Sequence, residues 1–425
     1  MELNKKNIIL FVGNVYDAYI EEIKEMNKKS GYNFRIALLR DIDTKINLSL
    51  ENQKAFDYFE MCNSKNKKEI RDKLDKIKSN IVSVHIVYEK YMEFYIDVLK
   101  ILQIKDYSSP SSLRASVDKL KMRRAFYKYD PKITPKFIQV KSKKDVGLIA
   151  KKIGFPCIIK PAHLFKSKLV SVSDNLEDLK NNIENTFELI QKTYSRLGVK
   201  SEPIILAEEM MDGKPYTTDI YIDENKKMHF TPFIFQITAK DLGIYDFYIY
   251  ARINPSGLAQ KEIKDGVSVA KKCVLALGVK NTVIHMELMK TDEGWKIIEV
   301  GPRIGGYRSE MLKSAYGINH FENCVLTRLS KRPVINDKII KYTAVIEIFP
   351  EKEGYLKSIK GIRKIKKLNS FVKMTINYKV GDFVGLSKNG HKHIFHFYLG
   401  NKSKKVFYND LEVIKKIVNV KIEEK

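Results

Sequence analysis

Two glutamates sit in a setting that suits a hard cation. Glu287 lies in the run Ile-His-Met-Glu-Leu-Met at 284–289, and Glu299 in Lys-Ile-Ile-Glu-Val at 296–300. Between them Thr-Asp-Glu-Gly, at 291–294, has turn composition, so the pair reads as an antiparallel hairpin whose carboxylates can meet on one face. Mg2+ takes oxygen from one or two carboxylates and completes its octahedron with phosphate oxygens and water. Just beyond, Arg303 supplies a fixed cation, and Gly305-Gly306 lets backbone come close to a ligand. Alone, these residues would serve equally as a solvated glutamate pair ahead of a glycine turn.

Three further elements occur upstream. Lys160 ends the apolar run Gly-Phe-Pro-Cys-Ile-Ile-Lys-Pro at 154–161, where one long cation would point into a cleft. Glu208, Glu209, Met210 and Met211 follow a short apolar strand at 204–206, setting backbone groups beside apolar side chains, a combination suited to gripping a base. Lys119 adds another cation. Singly, each also reads as a surface charge or strand end. In this order they would hold the base, the phosphates and the metals of one nucleotide.

The elements that must position them alternate. Strand-like runs at 7–12, 35–39 and 81–87 are separated by helical patterns, which implies a parallel sheet with crossover helices. The turn at Gly13 lacks GxGxxG, so no dinucleotide fingerprint is present. A Ser/Pro cluster at 107–112 marks a boundary. Strands are expected at 137–140, 154–161 and 204–206, helices at 144–153 and 270–277, and the hairpin after them. From about Arg332 the chain is strand-rich, at 342–349, 371–378 and 393–398, before a charged helix near 410–417. The aromatic-rich stretch 230–254 (Phe233, Phe235, Tyr245, Phe247, Tyr248, Tyr250) fits pocket lining and core packing equally well.

Taken together, these motifs resemble the ATP-grasp superfamily over most of the chain. The resemblance implies an α/β fold: a Rossmann-like pre-ATP-grasp domain over 1–115, an ATP-grasp domain over 116–331 with its lid subdomain at about 123–206, and a strand-rich C-terminal α+β domain over 332–425. Asp118-Lys119 resembles the family's first phosphate-side lysine and Lys160 its second, on the lid. Residues 208–211 are similar to the hinge that holds adenine, Glu287 and Glu299 to the metal-bridging glutamates, and Arg303 to the arginine on phosphate and acyl-phosphate. Phe349-Pro350, Gly354-Tyr355-Leu356 and Gly381-Asp382 resemble the extra domain of the L-amino-acid ligase branch.

Three departures stand out. Gly301 occupies the place where the family usually carries an Asn metal ligand. The loop 162–169 after Lys160 has no glycine, so Lys166 and Lys168 would replace backbone donors by charge. The acidic residue after the hinge glycine is absent, although Asp219 remains.

The resemblance implies an ATP-dependent carboxylate–amine ligase working through an acyl-phosphate, with ATP and Mg2+ (or Mn2+) as cofactors. Arg303 and the Gly305 and Gly306 backbone would stabilise the reacting centre, and Tyr307 and Arg308 would contact substrate. A carboxylase or purine-pathway type of ATP-grasp enzyme is the first alternative, although no Ala-Met-Lys-Met biotin acceptor is present. A non-catalytic nucleotide-binding module is the second; Gly301 and the lid loop favour it, whereas intact Lys160, Glu287, Glu299 and Arg303 oppose it.

Composition sets the outer bounds. With 44% hydrophobic and 11% aromatic residues, the chain can pack cores, and no apolar run approaches the roughly 20 residues that span a bilayer. The net charge of +26 comes from dispersed lysines without arginine–aromatic interleaving, so no nucleic-acid partner is expected. The apolar run after the basic N-terminus is too short for a signal core, and the expected location is cytoplasmic. Small carboxylate and amine partners and no membrane partner are expected; a homodimer is compatible. Cys62, Cys157, Cys273 and Cys324 lack metal spacing and read as buried thiols. His391, His393 and His396 cluster in sequence with no carboxylate nearby in the chain, and Trp295 at the hairpin tip reads as packing.

Overall fold

The first apolar run forms the strand Ile8–Val12, buried at every position, as a strand covered on both faces must be. A computed structural model of the protein describes residues 6–44, 48–164, 168–197, 199, 202–244, 246 and 248–424. Ile8–Val12 is one of the two inner strands of a parallel sheet ordered Tyr58–Cys62, Arg35–Asp41, Ile8–Val12 and Ile81–Ile86. Leu10 and Val12 pack with Phe94 and Val98 on one face. Ile9 and Phe11 pack on the other with Tyr19, Ile20, Phe321 and Val325, so a helix from far along the chain covers this sheet. Tyr58–Cys62 is an edge strand of alternating exposure that the sequence reading omitted.

A four-stranded sheet follows, ordered Phe137–Val140, Ile205–Glu209, Cys157–Pro161 and Ser171–Ser173. Every described pair in it is antiparallel, and the helix Leu176–Leu197 covers it through Leu179, Ile183, Ile190 and Tyr194. The largest sheet has nine strands. Its path is Gly294–Gly301, Thr282–Thr291, Lys214–Ile222, Ile234–Thr238, Ile249–Asn254, Tyr342–Ile348, Phe395–Asn401 and Phe371–Ile376, with Met228–Phe230 beside Lys214–Ile222. The C-terminal strands therefore continue the sheet that carries the hairpin, through the pairing of Ile249–Asn254 with Tyr342–Ile348. Helix Gln260–Leu277 packs on the hairpin end through Ala270, Cys273 and Val274, in one core with Trp295. A small sheet of Phe383–Val384, Gly354–Lys360 and Asn419–Glu423 completes the C-terminal part.

All four cysteines are buried and unpaired. Burial pushes the Cys157 thiol up to about 11 and the Cys62 thiol up to about 12, so both are protonated near neutrality. No described helix is long and apolar enough to cross a membrane.

Candidate active site

The hairpin forms in the register the alternation implies: Glu287 stands directly opposite Glu299, and His285 opposite Gly301. Apolar Met286, Leu288, Ile297 and Val300 turn into the core, which leaves the two carboxylates on the other face. Each side chain is 31% exposed, enough to be reached from solvent. Burial works to raise the Glu287 pKa, but the His285 imidazole 3.5 Å away and the Arg308 and Arg303 guanidiniums outweigh it and hold the carboxyl at about 2.

Lys119 opens the helix Lys119–Tyr129, whose first turn is capped by Asp118 accepting from the backbone of Leu120 and Lys121. From there its Nζ reaches Glu299 Oε1 at 2.9 Å and donates to the Leu164 carbonyl at 2.8 Å. His163 lies 3.3 Å from Asp118 Oδ2 and 3.3 Å from the Tyr194 hydroxyl, an anchor for the loop after Lys160. The Lys168 Nζ is 3.0 Å from where a Cβ on Gly390 would stand, at the C-terminal segment. Lys166, Tyr245 and Phe247 fall outside the described residues.

Lys160 is buried at the end of Cys157–Pro161, 2.7 Å from Glu208 Oε2. Arg123 grips the same carboxylate with Nε at 2.9 Å and one terminal nitrogen at 3.0 Å. It also donates to the carbonyls of Ile297 (3.0 Å) and Ile298 (2.7 Å), tying this triad to the hairpin strand. Despite burial, Arg123 and then Lys160 hold Glu208 at about 2. Glu208 pairs through its backbone with strands on both sides. Its buried side chain fixes Lys160. Glu209 is engaged as well, its N–H donating to the Lys136 carbonyl at 2.9 Å and its carboxylate accepting from the Lys136 N–H at 3.1 Å. The Met210 N–H donates to Pro156 at 3.3 Å, and half-buried Met210 and Met211 remain as apolar candidates for a base.

Arg303 pairs with Glu89 at 2.8 Å, and Glu89 Oε1 sits 2.3 Å from where a Cβ on Gly301 would stand. The missing side chain at Gly301 thus admits a carboxylate from the first sheet. Sequence reasoning passed over Glu89, although it lies just past the C-terminal end of the parallel strand Ile81–Ile86, where open α/β sheets place ligands.

Beneath the hairpin, Asp219 is wholly buried and accepts three hydrogen bonds. They come from His285 Nδ1 and His320 Nε2, both at 2.6 Å, and from the Gly305 N–H at 3.0 Å. The Gly305 N–H, expected as a donor to the reacting centre, is engaged here by Asp219. Gly306, with open space at its α-carbon, is the remaining amide. Arg308 is 2% exposed and bonds Thr217, while its Nε and one terminal nitrogen are buried with no hydrogen-bond partner among the described residues. Burial lowers its pKa to about 10, so it stays cationic near neutrality. Tyr307, at φ 63°, donates its hydroxyl to Glu347 at 2.8 Å. Glu347 also binds Arg252 at 2.6 Å and His393 at 3.0 Å, which supplies the carboxylate neighbour that the His391–His396 stretch lacked in sequence. Among the described residues, no three His, Cys, Asp or Glu side chains converge on a metal position.

Residues 153–311 match the ATP-grasp domain family. The L-arginine-specific L-amino acid ligase of Bacillus subtilis is 22% identical over 255 residues, 58% of this chain and 58% of that protein. An uncharacterized protein of Sinorhizobium fredii is 22% identical over 220 residues, 51% of this chain and 43% of that protein, so the chain spans about half the length of these two curated relatives. The crystal structure of an L-amino acid ligase from Bacillus licheniformis superposes with a TM-score of 0.80 at 15% identity, covering 99% of this chain and 100% of that one. N5-carboxyaminoimidazole ribonucleotide synthetase from Thermotoga maritima gives a TM-score of 0.67 at 16% identity, covering 98% of this chain and 100% of that one.

Proposed function

We propose that this chain, which carries an ATP-grasp domain in a fold shared with L-amino acid ligases, is an ATP- and magnesium-dependent carboxylate–amine ligase. In this reading it activates a carboxylate as an acyl-phosphate, passes it to an amine, and releases ADP and phosphate. One observation carries the reading: Glu287, which faces Glu299, adjoins a buried Arg308 guanidinium of which two nitrogens have no hydrogen-bond partner among the described residues. The first pair suits a cation on phosphates, and the arginine suits a substrate carboxylate.

The donor set fits Mg2+, since Glu299 already attracts the Lys119 ammonium and both carboxylates remain reachable. When bound, the ion offsets charge on the terminal phosphates, a role Mn2+ also fills. Lys119 and Lys160 neutralise phosphate oxygens, with Lys160 held in place by Glu208. Met210 and Met211 flank the base. Arg303 exchanges Glu89 for the phosphoryl group, whose transfer needs positioning and charge stabilisation more than covalent help. The Gly306 amide and Arg303 stabilise the oxyanion formed when the amine attacks. Arg308 orients a substrate carboxylate, and Tyr307 shapes the adjoining wall. The sheet of the lid subdomain, at about 123–206 within an ATP-grasp domain at 116–331, closes over the centre and excludes water that would hydrolyse the acyl-phosphate. Domains at 1–115 and 332–425 flank it.

The similarity to L-amino acid ligases points to amino acids as the carboxylate and the amine. A purine-pathway type of carbon–nitrogen ligase is the second reading, favoured by the nearly full-length likeness to the Thermotoga maritima synthetase. Phosphate release from ATP, measured across amino acids singly and in pairs and with bicarbonate, separates them. Release that requires two amino acids together supports the first reading. Release driven by bicarbonate with a single amine supports the second, and release with neither overturns both.

A further inference from the structure

We propose that Asp219 and His320 are positioning residues that lock the Glu287 carboxylate and the Gly305-Gly306 turn into one fixed geometry. This deepens the ligase reading and rests on it.

Asp219 lies in strand Lys214–Ile222, directly across from His285 in the next strand. Its Oδ1 takes the His285 Nδ1 proton, and its Oδ2 takes both the His320 Nε2 proton and the Gly305 amide. His285 in turn presents Nε2 to Glu287 at 3.5 Å. One carboxylate thus touches both arms of the site, the cation arm through His285 and the glycine turn directly. The two arms are also packed together: a Cβ on Gly305 would stand 2.3 Å from His285 Nδ1, so the turn rests against the ring.

His320 closes the far side. It is wholly buried, and its Nδ1 lies 2.8 Å from the Tyr221 hydroxyl, which fixes the ring plane. It begins the helix His320–Arg328, whose Phe321 and Glu322 amides are bound by Glu22 of the first domain's helix Asp17–Ser30. The hub is therefore braced from outside the site.

Stability alone gives little reason for a charge here, because apolar side chains of the same volume usually serve a core as well or better. Charge-assisted hydrogen bonds supply direction instead. Partners behind a metal-site residue of this kind typically cost 10–100-fold in metal affinity or activity when removed.

The test pairs two readouts on the full chain. Calorimetry gives ADP affinity as a function of Mg2+ concentration, and parallel assays give phosphate released per amide formed. Asp219→Asn should raise the Mg2+ needed for half-maximal ADP binding about 10–100-fold. It should also release more phosphate than amide, because a displaced glycine turn leaves the acyl-phosphate open to water. His320→Gln, which keeps a donor toward Asp219, should stay within about threefold of the parent in Mg2+ requirement, and His320→Leu should behave like Asp219→Asn. A lowered thermal midpoint with unchanged Mg2+ dependence and coupling would reduce the hub to ordinary packing and overturn the proposal. So would identical behaviour of the two His320 variants, which decides the matter if Asp219→Asn does not fold. Absence of amide from the parent protein would sink the ligase reading, while the Mg2+ dependence would still decide the positioning claim.

Discussion

Glu208→Gln removes the charge that two buried cations share, and its cost can be worked from the site. The carboxylate is 2% exposed and accepts from Arg123 at 2.9 and 3.0 Å and from Lys160 at 2.7 Å. Breaking a buried pair from one side costs about 3–5 kcal/mol, because the partner charge is left uncompensated. Arg123 keeps its bonds to the Ile297 and Ile298 carbonyls, so the lower end of that range applies. The acid side agrees in size. A carboxyl held at about 2 in place of its ordinary 4.5 contributes on the order of 3 kcal/mol. The native pKa is depressed, so this stability is fully present above about pH 4.5 and is lost as pH falls toward 2. Trp295, the only tryptophan, packs against Phe233 and Tyr216 and is two residues from Ile297, so its fluorescence reports unfolding around the tie. Urea unfolding of parent and variant should differ by about 3 kcal/mol at pH 7, with the gap narrowing below about pH 4. A difference under about 1 kcal/mol at pH 7 would refute the reasoning, as would a gap unchanged at pH 3.

Four further variants probe the chemistry. Glu299→Gln should keep the Trp295 unfolding transition yet abolish ATP turnover, since a neutral amide is a poorer magnesium ligand; near-normal phosphate release would remove Glu299 from the mechanism. Arg303→Met should lower kcat by about 10²–10³ while ADP affinity by calorimetry stays within about tenfold; equal losses would make Arg303 a binding residue only. Gly305→Ala would set a methyl 2.3 Å from His285 Nδ1 and 2.8 Å from Arg308 Cγ, whereas Gly306→Ala meets open space. Steady-state kinetics should therefore show kcat/KM falling at least about tenfold for the first, with the second folding normally and keeping ADP affinity.

Much of the hairpin was legible because period-two alternation states both the strand and its exposed face, so Glu287 and Glu299 could be paired from sequence. Lys160 was legible as a cation ending an apolar strand, but its partner was not: Glu208 and Arg123 are 85 positions apart. The Asp219 hub depends on His320, 101 positions away, and no local pattern announces such a contact. Glu89 reaches the site only because Gly301 lacks a side chain, a fact about space and not about either sequence neighbourhood. Tyr58–Cys62 escaped notice since half its side chains face solvent, blunting the apolar run that marked its neighbours. The C-terminal strands were recognised individually, yet their continuation of the hairpin's sheet is set by tertiary pairing.

The central claim is that a carboxylate oxygen becomes bonded to the γ-phosphorus before the carbon–nitrogen bond forms. Turnover with a substrate carboxylate bearing heavy oxygen, followed by mass spectrometry of the phosphate, tests it most directly. The account predicts one labelled oxygen in the phosphate for each amide formed. Amide formed with unlabelled phosphate would contradict it.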